Sequence, residues 1–184
     1  MIKIGVVSDT HISGPTRALP AALWQAFADA RMILHAGDLT TLGVLRELEA
    51  LCPVHAVYGN CDGPEVVARL ASTAVVSVEG LRIGLTHGHL GRGATTPARA
   101  RNAFADVACV VFGHSHEPYN RAEGGVLLFN PGSALERRRQ PHPSYGLLTI
   151  ADGQIRGEVV WLASLCRTHP MRDRRPDTDH ARQL

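Results

Sequence analysis

The chain has 184 residues, 45% of them hydrophobic and 20% charged, which is the composition of an ordinary globular domain. A formal net charge of +2 argues against a nucleic-acid-binding protein that relies on a broad basic surface. No apolar run approaches the roughly 20 residues of a transmembrane helix, and no signal-peptide pattern precedes the first strand. We therefore expect a cytoplasmic protein without a membrane-spanning segment or an extended nucleic-acid surface.

The first half of the chain predicts alternating strands and helices. Short apolar runs at residues 2–8, 31–34 and 54–58 indicate strands, and apolar positions at helical spacing indicate helices over 19–30 and 42–51. Strand-helix-strand repetition favours right-handed crossovers and a parallel sheet.

The second half predicts mainly strands. Residues 74–78 and 81–85 flank Glu79-Gly80 as a hairpin, a helix covers 96–105, and further strands cover 107–112, 126–129, 144–150 and 155–161. Together the halves predict two face-to-face sheets with helices outside. We expect one domain over residues 1–166 and a charged, proline-containing, disordered tail over 167–184.

Five short polar motifs fall where predicted strands end. In an extended chain residues i and i+2 point to the same side, so the two polar residues of a D-x-H or H-x-H motif can face one point. Loops beyond the carboxyl ends of parallel strands are the usual location of α/β active sites. The motifs are Asp9-Thr10-His11, Gly37-Asp38, Gly59-Asn60-Cys61-Asp62, Thr86-His87-Gly88-His89 and Gly113-His114-Ser115-His116.

Taken singly, each motif has a simple structural explanation. Gly-Asp and Gly-Asn are common turns, and a single D-x-H is common in proteins without metals. H-x-H at the end of an apolar strand is more informative, because two adjacent desolvated imidazoles would repel each other if charged. The whole set offers carboxylate, amide and imidazole ligands, which suit Mn, Fe, Zn, Ni or Co rather than copper(I).

The ordered set D-x-H, G-D, G-N, H and G-H-x-H resembles the calcineurin-like metallophosphoesterase superfamily. The G-N-C-D variant and the later Asn130-Pro-Gly-Ser133 are similar to its short YfcE-type phosphodiesterase branch, over residues 1–162. The resemblance implies a four-layer α-β-β-α sandwich with two mixed sheets. It also implies a metal-dependent phosphoesterase, most of all a phosphodiesterase, that acts on a small phosphorylated substrate and self-associates as a dimer or tetramer.

The resemblance assigns the seven ligands to two divalent cations, with Mn²⁺ favoured and Ni²⁺, Co²⁺, Fe²⁺ or Zn²⁺ as alternatives. One cation takes Asp9, His11 and His116, the other takes Asn60, His87 and His114, and Asp38 bridges both. A hydroxide held between the cations would attack phosphorus in line. Asp38, Asn60 and His87 are the residues expected to matter most for catalysis.

One position departs from the wider superfamily. Many phosphomonoesterase members have His directly after the motif Asn, where it protonates the leaving group, and here that residue is Cys61. A thiol is a poor substitute for imidazole as an acid, which leaves the proton donor open. Asp62, His89, Cys61 and Ser133 are candidates for residues that support the ligands, with a plain turn as the alternative for Asp62 and Ser133.

Other polar residues have simpler interpretations. His35 and His55 are expected to be packing or surface residues. Arg137-Arg138-Arg139 could attract a phosphate, with a solvated run of charge as the alternative. The competing function is a non-catalytic protein-interaction scaffold of the same fold, like the retromer subunit. Such a scaffold would be expected to have a broken ligand set, whereas all seven positions are present here.

Overall fold

The structure, a computed structural model, describes residues 1–14 and 18–162. The four helices of that part are α1 (Ala21–Ala26), α2 (Gly43–Glu49), α3 (Pro64–Arg69) and α4 (Thr96–Asn102). Its strands are β1 (Ile2–Val7), β2 (Met32–His35), β3 (Val54–Ala56), β4 (Thr73–Val78), β5 (Leu81–Thr86), β6 (Cys109–Val111), β7 (Tyr119–Glu123), β8 (Val126–Asn130), β9 (Ser144–Ala151) and β10 (Gln154–Trp161).

The strands form two five-stranded mixed sheets. The first sheet has the order β10-β9-β1-β2-β3, in which β1, β2 and β3 are parallel and the hairpin β9-β10 is antiparallel. The second has the order β4-β5-β6-β8-β7, in which β5, β6 and β8 are parallel between two antiparallel edge strands. The predicted parallel sheet at the start of the chain and the hairpin around Glu79-Gly80 are thus confirmed.

Three hydrophobic clusters hold the layers together. One lies between the sheets and includes Val6, Leu85 and Phe129. The second covers the outer face of the first sheet, where Val7, next to Val6 on β1, packs with residues of α1, α2 and α3. The third packs Ala100 of α4 against the outer face of the second sheet. Because apolar residues pack on both faces of each sheet in this way, the predicted α-β-β-α sandwich is confirmed.

The structure differs from the predicted elements in length and in two additions. The helix predicted over 19–30 ends at Ala26, because the Arg31 amide already donates to the Lys3 carbonyl alongside β1, so the chain leaves the helix before that point. The short helix α3 and the edge strand β7 were not predicted. All of β7 is exposed or half-buried, so its sequence lacks the alternation of apolar and polar residues that indicates a strand.

Within residues 1–14 and 18–162, no helix is long and apolar enough to cross a membrane. The predicted tail over 167–184 lies outside the described residues.

Candidate metal centre

The seven candidate ligands lie together at one edge of the sandwich, where strands of both sheets end. Five of them have a positive backbone φ, between 45° and 69°, a conformation that residues other than glycine seldom adopt. Backbone strain of this kind concentrates at functional sites. The five are Asp9, His11, Asp38, His114 and His116.

Asp9, His11 and His116 form the first group of donor atoms. His11 Nε2 lies 3.2 Å from His116 Nε2. Asp9 Oδ1 lies 3.3 Å from His116 Nε2 and 3.9 Å from His11 Nε2. Ligand atoms about 2.1 Å from one cation lie about 3–4.2 Å apart, depending on the angle between them at the ion, so these separations fit a shared ion.

Asn60, His87 and His114 form the second group. Asn60 Oδ1 lies 3.2 Å from His87 Nε2 and 2.9 Å from His114 Nδ1. The group therefore offers one amide oxygen and two imidazole nitrogens to a common point. Asn60 is exposed and His87 is fully buried, so the group spans the depth of the site.

Asp38 lies between the two groups. Its Oδ2 is 3.5 Å from His11 Nε2 and 3.3 Å from His87 Nε2, so one oxygen faces both groups. Its Oδ1 accepts a hydrogen bond from the Cys61 backbone amide at 2.8 Å. This second contact fixes the carboxylate plane and leaves Oδ2 directed into the site.

Backbone carbonyls orient two of the imidazoles. His87 Nδ1 lies 2.7 Å from the Ala36 carbonyl, and His116 Nδ1 lies 2.9 Å from the Glu136 carbonyl. Because a carbonyl only accepts, each Nδ1 carries the proton in the neutral ring, and each Nε2 presents a lone pair to the site. Fixing the tautomer by such a partner is typical of metal-ligating histidines.

The two oxygens of Asp9 have different surroundings. Its Oδ2 accepts hydrogen bonds from Ser8 Oγ at 2.7 Å and from the His114 amide at 3.1 Å. Its Oδ1 is buried and has no hydrogen-bond partner among the described residues. A buried carboxylate oxygen that faces imidazole lone pairs is costly unless positive charge lies between them. The donor set therefore fits a metal.

The electrostatics of the site also favour positive charge. Burial would raise the pKa of Asp38, but the His87 hydrogen bond and charge and the Cys61 amide outweigh burial and hold this pKa well below its usual range. Burial would lower the pKa of His87, but Asp38 and Asp9 more than offset this effect and raise it. The Asp38 carboxylate thus stays ionised and favours positive charge within the site.

Two glycines allow the loops to approach this closely. A Cβ at Gly59 would overlap Asp38 Oδ1 and lie 2.7 Å from the Asp38 backbone nitrogen. A Cβ at Gly113 would overlap Ser8 Oγ and lie 2.7 Å from Asp9 Oδ2. Any larger residue at either position would displace a carboxylate of the site.

The supporting candidates act mainly on the backbone. Asp62 accepts hydrogen bonds from three backbone amides of the two loops that carry Asp38 and Asn60, rather than contacting the Asn60 side chain. Ser133 Oγ donates to the Asp9 carbonyl at 2.7 Å and accepts from the Glu136 amide at 2.8 Å. Ser133 thereby connects the Asp9 loop to the segment whose carbonyl orients His116.

Cys61 and His89 flank the second group. The Cys61 Sγ lies within 4.8 Å of ligand atoms of His11 and Asp38, and burial together with the Asp38 charge raises its pKa to about 11. The His89 ring centroid is 5.3 Å from that of His87, and its Nδ1 is buried without a hydrogen-bond partner among the described residues. His89 therefore lies beside His87 and His114 of the second group.

Several contributors carry no sequence signal. Ser8 acts through its side-chain hydroxyl. Ala36 and Glu136 act through backbone carbonyls, which every residue possesses. His35 is fully buried beside Thr10, and His55 is exposed on β3, in agreement with the packing and surface roles predicted for them.

Known proteins are similar to this chain in sequence and in fold. The sequence model of the calcineurin-like phosphoesterase superfamily domain matches residues 2–153. A probable metallophosphoesterase of Methanothermobacter thermautotrophicus is 37% identical, over 90% of this chain and 96% of the relative. Phosphodiesterase YfcE of Escherichia coli is 32% identical, over 80% of this chain and 88% of the relative.

Among solved structures, Vps29 of Entamoeba histolytica complexed with Zn²⁺ is similar in fold, with a TM-score of 0.67 and 27% sequence identity. The similarity covers 87% of this chain and 99% of the Vps29 chain. The family match covers most of the chain, including all seven candidate ligands. The resemblance to metallophosphoesterases of the YfcE type is therefore confirmed. The chain belongs to the calcineurin-like phosphoesterase superfamily and is a hydrolase of phosphoric ester bonds.

Proposed function

We propose that the chain is a phosphodiesterase that works with two divalent cations. Mn²⁺ is the favoured metal, and Ni²⁺, Co²⁺, Fe²⁺ and Zn²⁺ are the alternatives. The observation that carries the proposal is the complete set of seven donor atoms, arranged as two groups on either side of Asp38 Oδ2. Two cations in such a site supply Lewis-acid activation of water and neutralise charge on the phosphoryl oxygens.

The side chains divide the remaining work. Asp38 places one negative charge between the two groups, which offsets the repulsion between neighbouring cations. His87 and His116 keep their Nε2 lone pairs available because the Ala36 and Glu136 carbonyls hold the opposite protons. Asn60, which is exposed, sits at the mouth of the site, where a substrate enters.

The residue after Asn60 favours diesters with acidic leaving groups. A thiol with a pKa of about 11 holds its proton at neutral pH and is a weak general acid. The Cys61 backbone amide donates a hydrogen bond to Asp38 Oδ1, and this contact does not depend on the thiol. Leaving groups that depart as stable anions need no proton, so such esters are the proposed substrates.

Hydrolysis of bis-p-nitrophenyl phosphate tests the proposal. Protein stripped with a chelator is assayed before and after addition of Mn²⁺, Ni²⁺ or Co²⁺. We expect metal-restored turnover that is lost more completely in Asp38→Asn than in Asn60→Ala, because Asp38 faces both groups. His55→Ala, an exposed histidine on β3, serves as the control. If the metal-loaded wild type hydrolysed the diester no faster than Asp38→Asn, the proposal would be contradicted.

The alternative is a protein-interaction scaffold of the same fold. Its support is the similarity to Vps29 structures, one of which carries Zn²⁺. A folded chain that binds metal but shows no turnover on any phosphodiester would favour this alternative. We also propose a cytoplasmic location, a dimer or tetramer, and a single domain that ends near residue 166, which fractionation, light scattering and limited proteolysis would test.

A further inference from the structure

A cavity of about 360 Å³ opens beside the first group of candidate ligands. His116, which belongs to that group, is one of its walls, so the cavity borders the reaction site. Arg138 and Arg139 form another wall, and the rest of the lining is Ser115, Glu117 and Gln140. The two arginines give this side of the site an excess of positive charge.

The turn that carries the arginines is fixed relative to the site. At its start, the Glu136 carbonyl faces His116 Nδ1 at 2.9 Å. The turn then closes on itself, because the Gln140 amide donates to the Arg137 carbonyl at 2.7 Å and Arg137 Nη1 donates to the Gln140 carbonyl at 2.9 Å. Arg138 itself has a φ of +45°, a strained conformation in a turn held at both ends.

A neighbouring cavity has the opposite electrostatic character. It measures about 430 Å³ and shares Ser115 and Glu117 with the first cavity. Its lining includes Phe112 and Tyr119 and a second carboxylate, Glu123, and among the described residues it contains no basic side chain. The Arg121 guanidinium, 5.3 Å from the Tyr119 ring centroid, offsets part of this negative charge, so an anionic group of a substrate would be attracted more strongly toward Arg138 and Arg139.

We propose that the Arg138–Arg139 cavity binds a second anionic group of the substrate, a phosphate beyond the ester that is hydrolysed. The inference rests on the proposed function and narrows it to phosphodiesters that carry an additional phosphate. Arginine suits this role because its planar guanidinium binds phosphate oxygens in pairs. The arginine run is then a specificity element rather than a solvated run of charge.

A matched pair of chromogenic diesters tests the inference on the Mn²⁺-loaded protein. The probes are thymidine 5′-(p-nitrophenyl phosphate) with and without a 3′-phosphate. We expect kcat/KM to be about tenfold or more higher for the 3′-phosphorylated probe, as for a charge-assisted hydrogen bond. Arg138→Ala and Arg139→Ala should remove most of that preference and leave kcat/KM for bis-p-nitrophenyl phosphate nearly unchanged.

Two further variants sharpen the test. Arg156→Ala, at an exposed position of β10, removes the same charge elsewhere and should keep the preference. Arg138→Lys keeps the charge but loses the planar fork, so it should retain only part of the preference. As a binding readout, thymidine 3′,5′-bisphosphate should inhibit the wild type more strongly than thymidine 5′-monophosphate, and this difference should vanish in Arg138→Ala.

Equal kcat/KM for the two probes, or an unchanged preference in both alanine variants, would overturn the inference alone. Absence of metal-dependent hydrolysis of every diester would instead overturn the proposed function, and the inference with it.

Discussion

The Asp62 carboxylate holds the backbone of Asp38 in place. Its Oδ2 accepts hydrogen bonds from the Asp38 amide at 3.0 Å and the Gly59 amide at 2.7 Å, and its Oδ1 accepts one from the Thr40 amide at 2.6 Å. One side chain thereby joins the loop after β2 to the loop after β3. The position of Asp38, which faces both donor groups, depends on this connection.

Asp62→Asn should weaken metal binding without unfolding the chain. The Asn amide has one acceptor oxygen instead of two, and its NH₂ group would face backbone donors. We expect the affinity for Mn²⁺ to fall about 10–100-fold, as for other residues that orient metal ligands. Isothermal titration calorimetry measures the affinity for Mn²⁺. The control is Glu65→Gln, which removes an exposed carboxylate on α3. Equal affinities in Asp62→Asn and the wild type would refute this role.

Gly59→Ala should damage the site more than Gly63→Ala. The new Cβ at residue 59 would overlap the Asp38 carboxylate, whereas a Cβ at residue 63 meets nothing within 4 Å. We expect Gly59→Ala to lose metal-dependent hydrolysis and Gly63→Ala to keep it within about twofold, as for a surface substitution. Metal-dependent hydrolysis is measured for both variants, after circular dichroism has shown that they are equally folded. Similar activities in the two variants would show that the close approach at residue 59 is unnecessary.

Cys61→Ala should retain most of its activity on p-nitrophenyl diesters. The p-nitrophenolate leaving group needs no proton, and the backbone amide of residue 61 still donates to Asp38 Oδ1. Cys61→His should raise the rate for alkyl esters, whose leaving groups need a proton, by about tenfold or more. The measurement is kcat on both ester classes. A large loss for Cys61→Ala on the p-nitrophenyl diester would assign the thiol a direct part in turnover.

His35 should make the metal-free protein sensitive to acid. Its Nδ1 accepts the Gly37 amide at 3.3 Å, which leaves Nε2 to donate to Thr10 Oγ1 at 3.2 Å. Burial lowers the pKa of His35 from 6.5 to about 3, although the nearby Asp9 charge opposes this shift. The unfolded chain therefore takes up a proton below pH 6.5 that the folded chain rejects until about pH 3.

The free energy of unfolding should accordingly fall between pH 6.5 and 3, with a contribution from His35 of up to about 1.4 kcal/mol per pH unit. Urea unfolding in a chelator at several pH values measures this slope. His35→Gln should have a shallower slope than the wild type, and His55→Gln should not. Equal slopes in all three proteins would mean that His35 is protonated in the folded state.

The sequence predicted the sandwich because its strands are strongly apolar and short. Val6 and Val7 are both buried on opposite faces of β1, so a continuous apolar run indicated a strand covered on both sides. The edge strand β7 escaped prediction because its residues face solvent, and α3 escaped because six residues carry little periodicity. Helix ends were also placed too late, since tertiary contacts such as Arg31 to Lys3 decide where α1 stops.

The candidate site followed from motifs more than from periodicity. The polar residues at strand ends were visible, and the structure brings all seven together. The backbone contacts of the site could not be predicted. The Ala36 and Glu136 carbonyls orient His87 and His116, and a backbone carbonyl is present whatever the side chain is. Asp62 was predicted as a supporting residue with a plain turn as the alternative, but its partners could not be predicted, because they are three backbone amides, two of them in the loop after β2.

The central claim is that two cations lie on either side of Asp38. An anomalous difference map from crystals soaked with Mn²⁺ tests it most directly. The account predicts two peaks per chain, one among Asp9, His11 and His116 and the other among Asn60, His87 and His114, with Asp38 Oδ2 between them. A single peak that Asp38 does not contact, or no peak at these residues, would contradict it.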